Sequence, residues 1–118
     1  AKFMKAREAN STLLARDPVL AEIVRRFVKE FQPNKIILFG SRAAGTAQHD
    51  SDYDILVVVP TLTDRPRTLS LRVHDLLGDL DISKDIFFTS SEKFEAGKVV
   101  VNTLAELAYN DGEELYAA

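Results

Sequence analysis

Apolar residues recur at helical spacing in the stretch that follows Asp17-Pro18. An acidic residue followed by proline is typical of a helix start, because the acid can accept hydrogen bonds from free backbone N–H groups and proline suits the first helical position. The pattern predicts a helix that ends at Pro33-Asn34 and buries one stripe, made of Leu20, Ile23, Val24, Phe27, Val28 and Phe31. Charged residues fall mostly on its other side.

Three apolar runs downstream predict the strands of a sheet. Lys35 to Phe39 is apolar on both faces, which is typical of an internal strand. Asp52 to Val59 forms the second run, and Ser83 to Thr89 forms the third. Asp85 interrupts the third run, and a charged residue within a strand is disfavoured unless the strand lies at an edge or the charge has a chemical role.

Two further amphipathic stretches and a short C-terminal strand complete the pattern. The first predicts a helix from Thr68 to Leu80, and the second a mostly helical segment from Glu92 to Asn110 with a break near Gly97. The second helix is expected to be capped by Thr89 and to bury an apolar face made of Val100, Leu104, Leu107 and Ala108. With a terminal strand from Glu113 to Tyr116, the chain is predicted to be α/β (α+β), a small mixed sheet flanked by helices.

Length and composition narrow the function classes. The 118 residues predict a single domain, 1–118, of which 1–16 is poorly defined. The net charge of −3 argues against a broad nucleic-acid interface, and no apolar run approaches the length of a membrane span. The absence of cysteine excludes disulfides and zinc–thiolate sites, and a cytoplasmic location is expected. The sequence leaves the oligomeric state open, a homo-oligomer included.

The candidate chemistry lies between the first two strands. Gly40-Ser41 follows the first strand directly, and a glycine there lets the backbone approach a ligand whose negative charge the free N–H groups and the Ser41 hydroxyl attract. Asp52 and Asp54 open the second strand and point to the same face, roughly 6.6 Å apart along the backbone. Such a pair resists staying ionised unless a cation binds, and its oxygen ligands suit Mg²⁺ or Mn²⁺.

Gly40-Ser41, ten intervening residues and Asp52-Tyr53-Asp54 entering a strand resemble the signature of the nucleotidyltransferases related to DNA polymerase β. The short chain is most similar to the minimal nucleotidyltransferases. The resemblance implies the polymerase β-like nucleotidyltransferase fold, with Gly40 and Ser41 holding the triphosphate. It also implies two Mg²⁺ or Mn²⁺ ions held by Asp52, Asp54 and a third carboxylate on a later strand.

Asp85 is the preferred third carboxylate, and Asp81 is the alternative. Family members usually have apolar residues on both sides of this acid, whereas Lys84 precedes Asp85 here. Arg42 is expected near the phosphates, with surface solvation as the alternative. The family often has a second basic residue two positions later, where this chain has Ala44.

The resemblance implies a catalyst that moves a nucleoside monophosphate, AMP from ATP, onto an acceptor hydroxyl. Larger relatives carry an added acceptor-binding domain, for which this chain has no room, so the acceptor is expected on another chain. In the minimal family that chain is a helical HEPN-type toxin, which the nucleotidyltransferase neutralises as an antitoxin by binding it or by adding AMP to a tyrosine. Two alternatives stay open: an enzyme that modifies a small molecule such as an antibiotic, and an antitoxin that acts by binding alone.

Overall fold

A mixed sheet forms the centre of the protein. The computed structural model describes residues 12–48 and 51–118. Within these residues the sheet has the order β3-β2-β1-β4. Its strands are β1 (Lys35–Phe39), β2 (Tyr53–Val59), β3 (Lys84–Ser90) and β4 (Glu113–Ala117). Strand β1 runs antiparallel to β2 and β4, whereas β2 and β3 are parallel. The predicted α/β (α+β) class with a small mixed sheet is confirmed, and β1 is internal as expected.

Helices cover both faces of this sheet. They are α1 (Pro18–Phe31), α2 (Ser41–Ala44), α3 (Pro66–Leu77), α4 (Ser91–Gly97) and α5 (Leu104–Asp111). Residues 12–16 are also helical, and Leu13 and Leu14 pack against the core. The rest of the N-terminal segment that the sequence leaves poorly defined, 1–11, lies outside the described residues. Over the part of the chain that is described, no helix combines the length and apolar character needed to cross a membrane.

Side chains that alternate along the strands divide the core into two layers. Tyr53, Ile55 and Val57 of β2 pack with α1 and α3, whereas Leu56 and Val58 pack with α4 and α5. This alternation is the ordinary consequence of the two-residue period of a strand. It places Asp52 and Asp54 on the face of α4 and α5, opposite Tyr53.

The predicted boundaries of the first helix are confirmed, and those of the later helices are wrong by a few residues. Asp17 caps α1 as predicted, because its carboxylate accepts a hydrogen bond of 3.0 Å from the backbone N–H of Leu20. Helix α3 begins at Pro66 rather than at residue 68, since proline is already compatible with the first helical turn, and it ends at Leu77. Gly78 follows directly.

The segment predicted as one broken helix forms the two helices α4 and α5. Ser90, not Thr89, is the N-cap of α4, because the Ser90 hydroxyl accepts from the N–H of Lys93. Val100 lies in the turn between the helices and is 50% exposed, so its predicted place on the buried face is wrong. Leu107 of α5 is 43% exposed, so its predicted burial is wrong as well. Asn102 has a positive φ of 69°, which turns the chain where a continuous helix would have buried Val100.

Candidate active site

Three carboxylates meet at one end of the sheet. Asp52 precedes β2, Asp54 is its second residue, and Asp85 is the second residue of β3. The parallel register places Asp54 directly opposite Asp85. One carboxylate oxygen from each of the three residues lies within 4.8 Å of the others. The structure therefore brings together the three side chains that the sequence singled out as metal ligands.

The electrostatics of this cluster are unfavourable without a cation. Burial raises the pKa of Asp54 above its ordinary value, and the negative charges of Asp85 and Asp52 raise it further. Among residues 12–48 and 51–118, none of the three carboxylates forms an ion pair. A set of three converging oxygen donors fits a hard divalent cation such as Mg²⁺ or Mn²⁺, which would remove the mutual repulsion.

Gly40 brings the end of β1 against this cluster. Phe39, the last residue of β1, pairs in register with Asp54. Gly40 follows with a φ of 75°, a conformation that favours glycine, and a side chain at this position would run into the carboxylate of Asp54. Ser41 then begins the single-turn helix α2. The turn predicted to hold phosphate and the acids predicted to hold metal are thus direct neighbours.

Arg42 projects to the other side of the sheet. Its guanidinium carbon lies 3.9 Å from the centre of the Tyr53 ring, and its Nε and Nη2 donate to the carbonyl oxygen of Ser51 at 3.0 and 2.8 Å. Tyr53 faces away from the acids between which it lies, and it is buried. Contact between the Arg42 side chain and phosphate stays a prediction, because the guanidinium is occupied by other partners here.

Asp81 lies apart from the carboxylate cluster. It precedes β3 and lines a cavity together with Arg42, Ser51 and Tyr53, on the α1 side of the sheet. Within the described residues the group that can share a cation contains Asp85 and not Asp81. The unexpected lysine before Asp85 has a simple structural reason, because β3 is the edge strand and Lys84 is only partly buried.

Sequence reasoning missed contacts of two residues, one on each face of the sheet. Asp17, interpreted only as a helix cap, also accepts a hydrogen bond of 2.8 Å from the Tyr53 hydroxyl. Phe87, interpreted only as part of a strand, is 40% exposed, and its ring lies 5.8 Å from that of Phe39. The alternation of β3 puts Phe87 on the same face as Asp85, a signal that the sequence already contained.

Comparison with known proteins agrees with this geometry. The profile of the nucleotidyltransferase domain family matches residues 20–114. No curated protein sequence matches the chain.

Similar folds occur in solved structures. A crystal structure of a toxin–antitoxin with AMP-PNP has a TM-score of 0.62 at 22% identity, over 83% of this chain and 73% of that chain. Two mutants of the toxin–antitoxin MntA-HpeT have TM-scores of 0.56 and 0.60 at 22% and 24% identity, over 83% of this chain and 73% and 72% of theirs.

These findings confirm the family and the fold that the motif predicted. The family profile spans most of the chain, from α1 to β4, and includes the Gly40-Ser41 turn and all three carboxylates. The chain therefore belongs to the nucleotidyltransferase domain family.

Proposed function

We propose that this nucleotidyltransferase moves AMP from ATP to a hydroxyl group on a partner protein and releases pyrophosphate. The family supports transfer of a nucleotidyl group from a nucleoside triphosphate. The observation that carries the site assignment is the convergence of the Asp52, Asp54 and Asp85 carboxylates within 4.8 Å, next to Gly40.

Asp52, Asp54 and Asp85 would hold two divalent ions, Mg²⁺ or Mn²⁺. When bound, such ions neutralise charge on the leaving pyrophosphate and lower the pKa of the acceptor hydroxyl. Gly40 and Ser41 hold the β- and γ-phosphates, because their turn borders the acids on the β1 side. Asp85 lies on the opposite, β3 side and accepts the proton of the attacking hydroxyl. Positioning and electrostatics therefore supply most of the catalysis.

The order of these groups across the sheet gives the acceptor a direction of approach. The phosphate turn follows β1, Asp54 lies on β2, and Asp85 lies on the edge strand β3. A displacement in line with the leaving pyrophosphate then brings the acceptor past the β3 edge. Phe87, exposed on the same face as Asp85, is the apolar side chain that the acceptor meets there.

The partner in this proposal is a helical HEPN-type toxin, and the protein acts as its antitoxin. The similar structures are toxin–antitoxin complexes, which agrees with this assignment. The chain also exposes a cluster of apolar side chains around the α4–α5 turn, which suits a protein partner better than a small molecule: Val99, Val100, Val101 and Leu107. Because the reaction consumes ATP, we place it in the cytoplasm.

The experiment is transfer of label from ATP carrying a labelled α-phosphate, with Mg²⁺, to a co-expressed helical partner. Wild type should label the partner, and the double variant Asp52→Ala/Asp54→Ala should not. Asp75→Ala is the matched control, because Asp75 is an exposed acid on α3, outside the carboxylate cluster. Equal labelling by wild type and the double variant would overturn the proposed site. Neutralisation of the toxin by the double variant would instead favour an antitoxin that acts by binding alone.

A further inference from the structure

Arg42 joins two segments that are separated along the chain. It follows Ser41 of the phosphate turn, and its guanidinium donates two hydrogen bonds to the carbonyl oxygen of Ser51, the residue before Asp52. The guanidinium carbon also lies 3.9 Å from the centre of the Tyr53 ring, within range of a cation–π contact. One side chain thus connects the start of α2 to the start of β2, across the loop between them.

Tyr53 is in turn fixed to the first helix. Its hydroxyl donates to one carboxylate oxygen of Asp17 at 2.8 Å, and the other oxygen of Asp17 accepts from the N–H of Leu20 at 3.0 Å. The backbone N–H of Tyr53 donates to the carbonyl of Ser83 at 2.9 Å, just before β3. The residue between the two acids is therefore held by its side chain from α1 and by its backbone from the β3 segment.

We propose that Arg42 and Tyr53 are positioning residues, which set the distance between the phosphate turn and the carboxylates from the opposite face of the sheet. This inference rests on the proposed function of Asp52 and Asp54, and it gives Arg42 a different role from direct contact with the triphosphate. In this role neither side chain touches the substrate.

The cluster needs such a restraint. Asp52, Asp54 and Asp85 repel one another, and Asp52 lies outside the hydrogen-bonded part of β2, so local strand geometry alone does not hold it. Residues that orient metal ligands typically change metal affinity or activity by about 10–100-fold when they are replaced. A small displacement of Asp52 or Asp54 would also misalign the α-phosphorus with the acceptor.

Replacement of Arg42 by lysine separates the two roles. Lysine keeps the positive charge that a phosphate contact needs, but it lacks the planar fork that bonds to Ser51 while it stacks on Tyr53. A positioning role therefore predicts that Arg42→Lys resembles Arg42→Ala, whereas a phosphate contact predicts that lysine restores most of the function. Tyr53→Phe keeps the ring for Arg42 and removes only the bond to Asp17.

The experiment measures Mn²⁺ affinity by electron paramagnetic resonance, with the metal alone, and kcat and KM for ATP in AMP transfer. We expect Arg42→Lys and Arg42→Ala each to weaken Mn²⁺ binding and to lower kcat by about 10-fold or more, with KM for ATP changed by less than about 3-fold. Tyr53→Phe should have the same effect in smaller measure. Arg25→Lys is the matched control, since Arg25 is an exposed residue of α1 that pairs with Glu22.

Two results would overturn the inference. One is a lysine variant with wild-type kcat and Mn²⁺ affinity beside an alanine variant with raised KM, since this pattern assigns Arg42 to phosphate. The other is wild-type Mn²⁺ affinity and kcat in every variant, whatever its melting temperature, since this pattern leaves only a structural role. If wild type transfers no AMP, the proposed transfer is wrong, but Mn²⁺ affinity still tests the positioning role. Weaker Mn²⁺ binding in both Asp52→Ala and Arg42→Lys would then support that role.

Discussion

Two groups of acidic residues in this protein have opposite surroundings. On the α1 surface, Arg26 bonds to Glu22 at 2.7 Å and to Asp79 at 2.6 Å, and so links α1 to the end of α3. Arg72 bonds in the same way to Glu30 and Asp64, at 2.8 and 2.6 Å. One carboxylate oxygen each of Asp52, Asp54 and Asp85 lies within 4.8 Å of the other two, yet no ion pair involves these acids in the described part of the chain.

The difference shows in the proton affinities. Hydrogen bonds from Arg25 and Arg26 lower the pKa of Glu22 to about 2, whereas burial and the two neighbouring acids raise the pKa of Asp54. The arginine partners make the negative charge of Glu22 favourable, whereas the negative charge of Asp54 costs the fold stability. Such a loss of stability is typical of a functional site, where a bound ligand offsets it, and it distinguishes the candidate site from the surface acids.

Loss of Asp85 should have the largest effect on activity. Asp85→Asn is expected to lower AMP transfer by about 100-fold or more, because it removes one of three oxygen donors and the proposed proton acceptor. Asp81→Asn is the control, since Asp81 lies on the other side of the sheet, and it should keep most of the activity. Comparable losses in both variants would contradict the assignment of Asp85.

A side chain at Gly40 should disturb both the fold and the acids. Gly40→Ala is expected to cost about 1–3 kcal/mol, because alanine disfavours the positive φ and its Cβ runs into the carboxylate of Asp54. Gly45→Ala is the matched control, with a φ of 80° and, its two chain neighbours apart, no atom of the described residues within 4 Å of the added Cβ. Urea denaturation should show a clearly smaller loss for Gly45→Ala, and equal losses would show that Gly40 is needed for its φ alone.

Neutralising Asp54 should stabilise the metal-free protein. Asp54→Asn removes the repulsion from Asp52 and Asp85, and its melting temperature should rise by about 2–4 °C without divalent ions. Mg²⁺–ATP should stabilise wild type and have little effect on this variant, because binding to the folded state alone raises stability. Among the acids that pair with arginine, Glu22→Gln should lower the melting temperature slightly. A melting temperature of wild type that Mg²⁺–ATP leaves unchanged would argue against the site.

The contributions of Asp54 and Glu22 to stability should change with pH in opposite directions. The pKa of Asp54 is raised, so its ionised form costs stability at neutral pH, and this cost disappears as the pH falls through the folded pKa towards 3.8. The pKa of Glu22 is lowered to about 2, so its contribution is present above its ordinary value of 4.5 and is lost as the pH falls towards 2.

Melting curves of wild type, Asp54→Asn and Glu22→Gln between pH 7 and pH 3 test these signs. Asp54→Asn should start above wild type and converge with it on acidification, and Glu22→Gln should start below wild type and converge. Effects of the same sign in both variants would show that Asp54 and Glu22 have similar surroundings.

The sequence by itself determined the local elements and the family. The helical stripe after Asp17, the apolar runs that became β1 to β3, and the motif from Gly40 to Asp54 are readable because periodicity and short motifs are properties of neighbouring residues. The helix boundaries near Pro66 and Ser90 were less readable, since several nearby residues can begin a helix.

Only the tertiary structure decided which side chains meet. The preference for Asp85 over Asp81 depended on a guess about the limits of β3, and the parallel register with β2 placed Asp85 beside Asp54. The position of Arg42 over Tyr53 was not readable at all, because it depends on the packing of α1 and α2 on one face of the sheet. Register and packing follow from the burial of residues far apart along the chain, which no local pattern encodes.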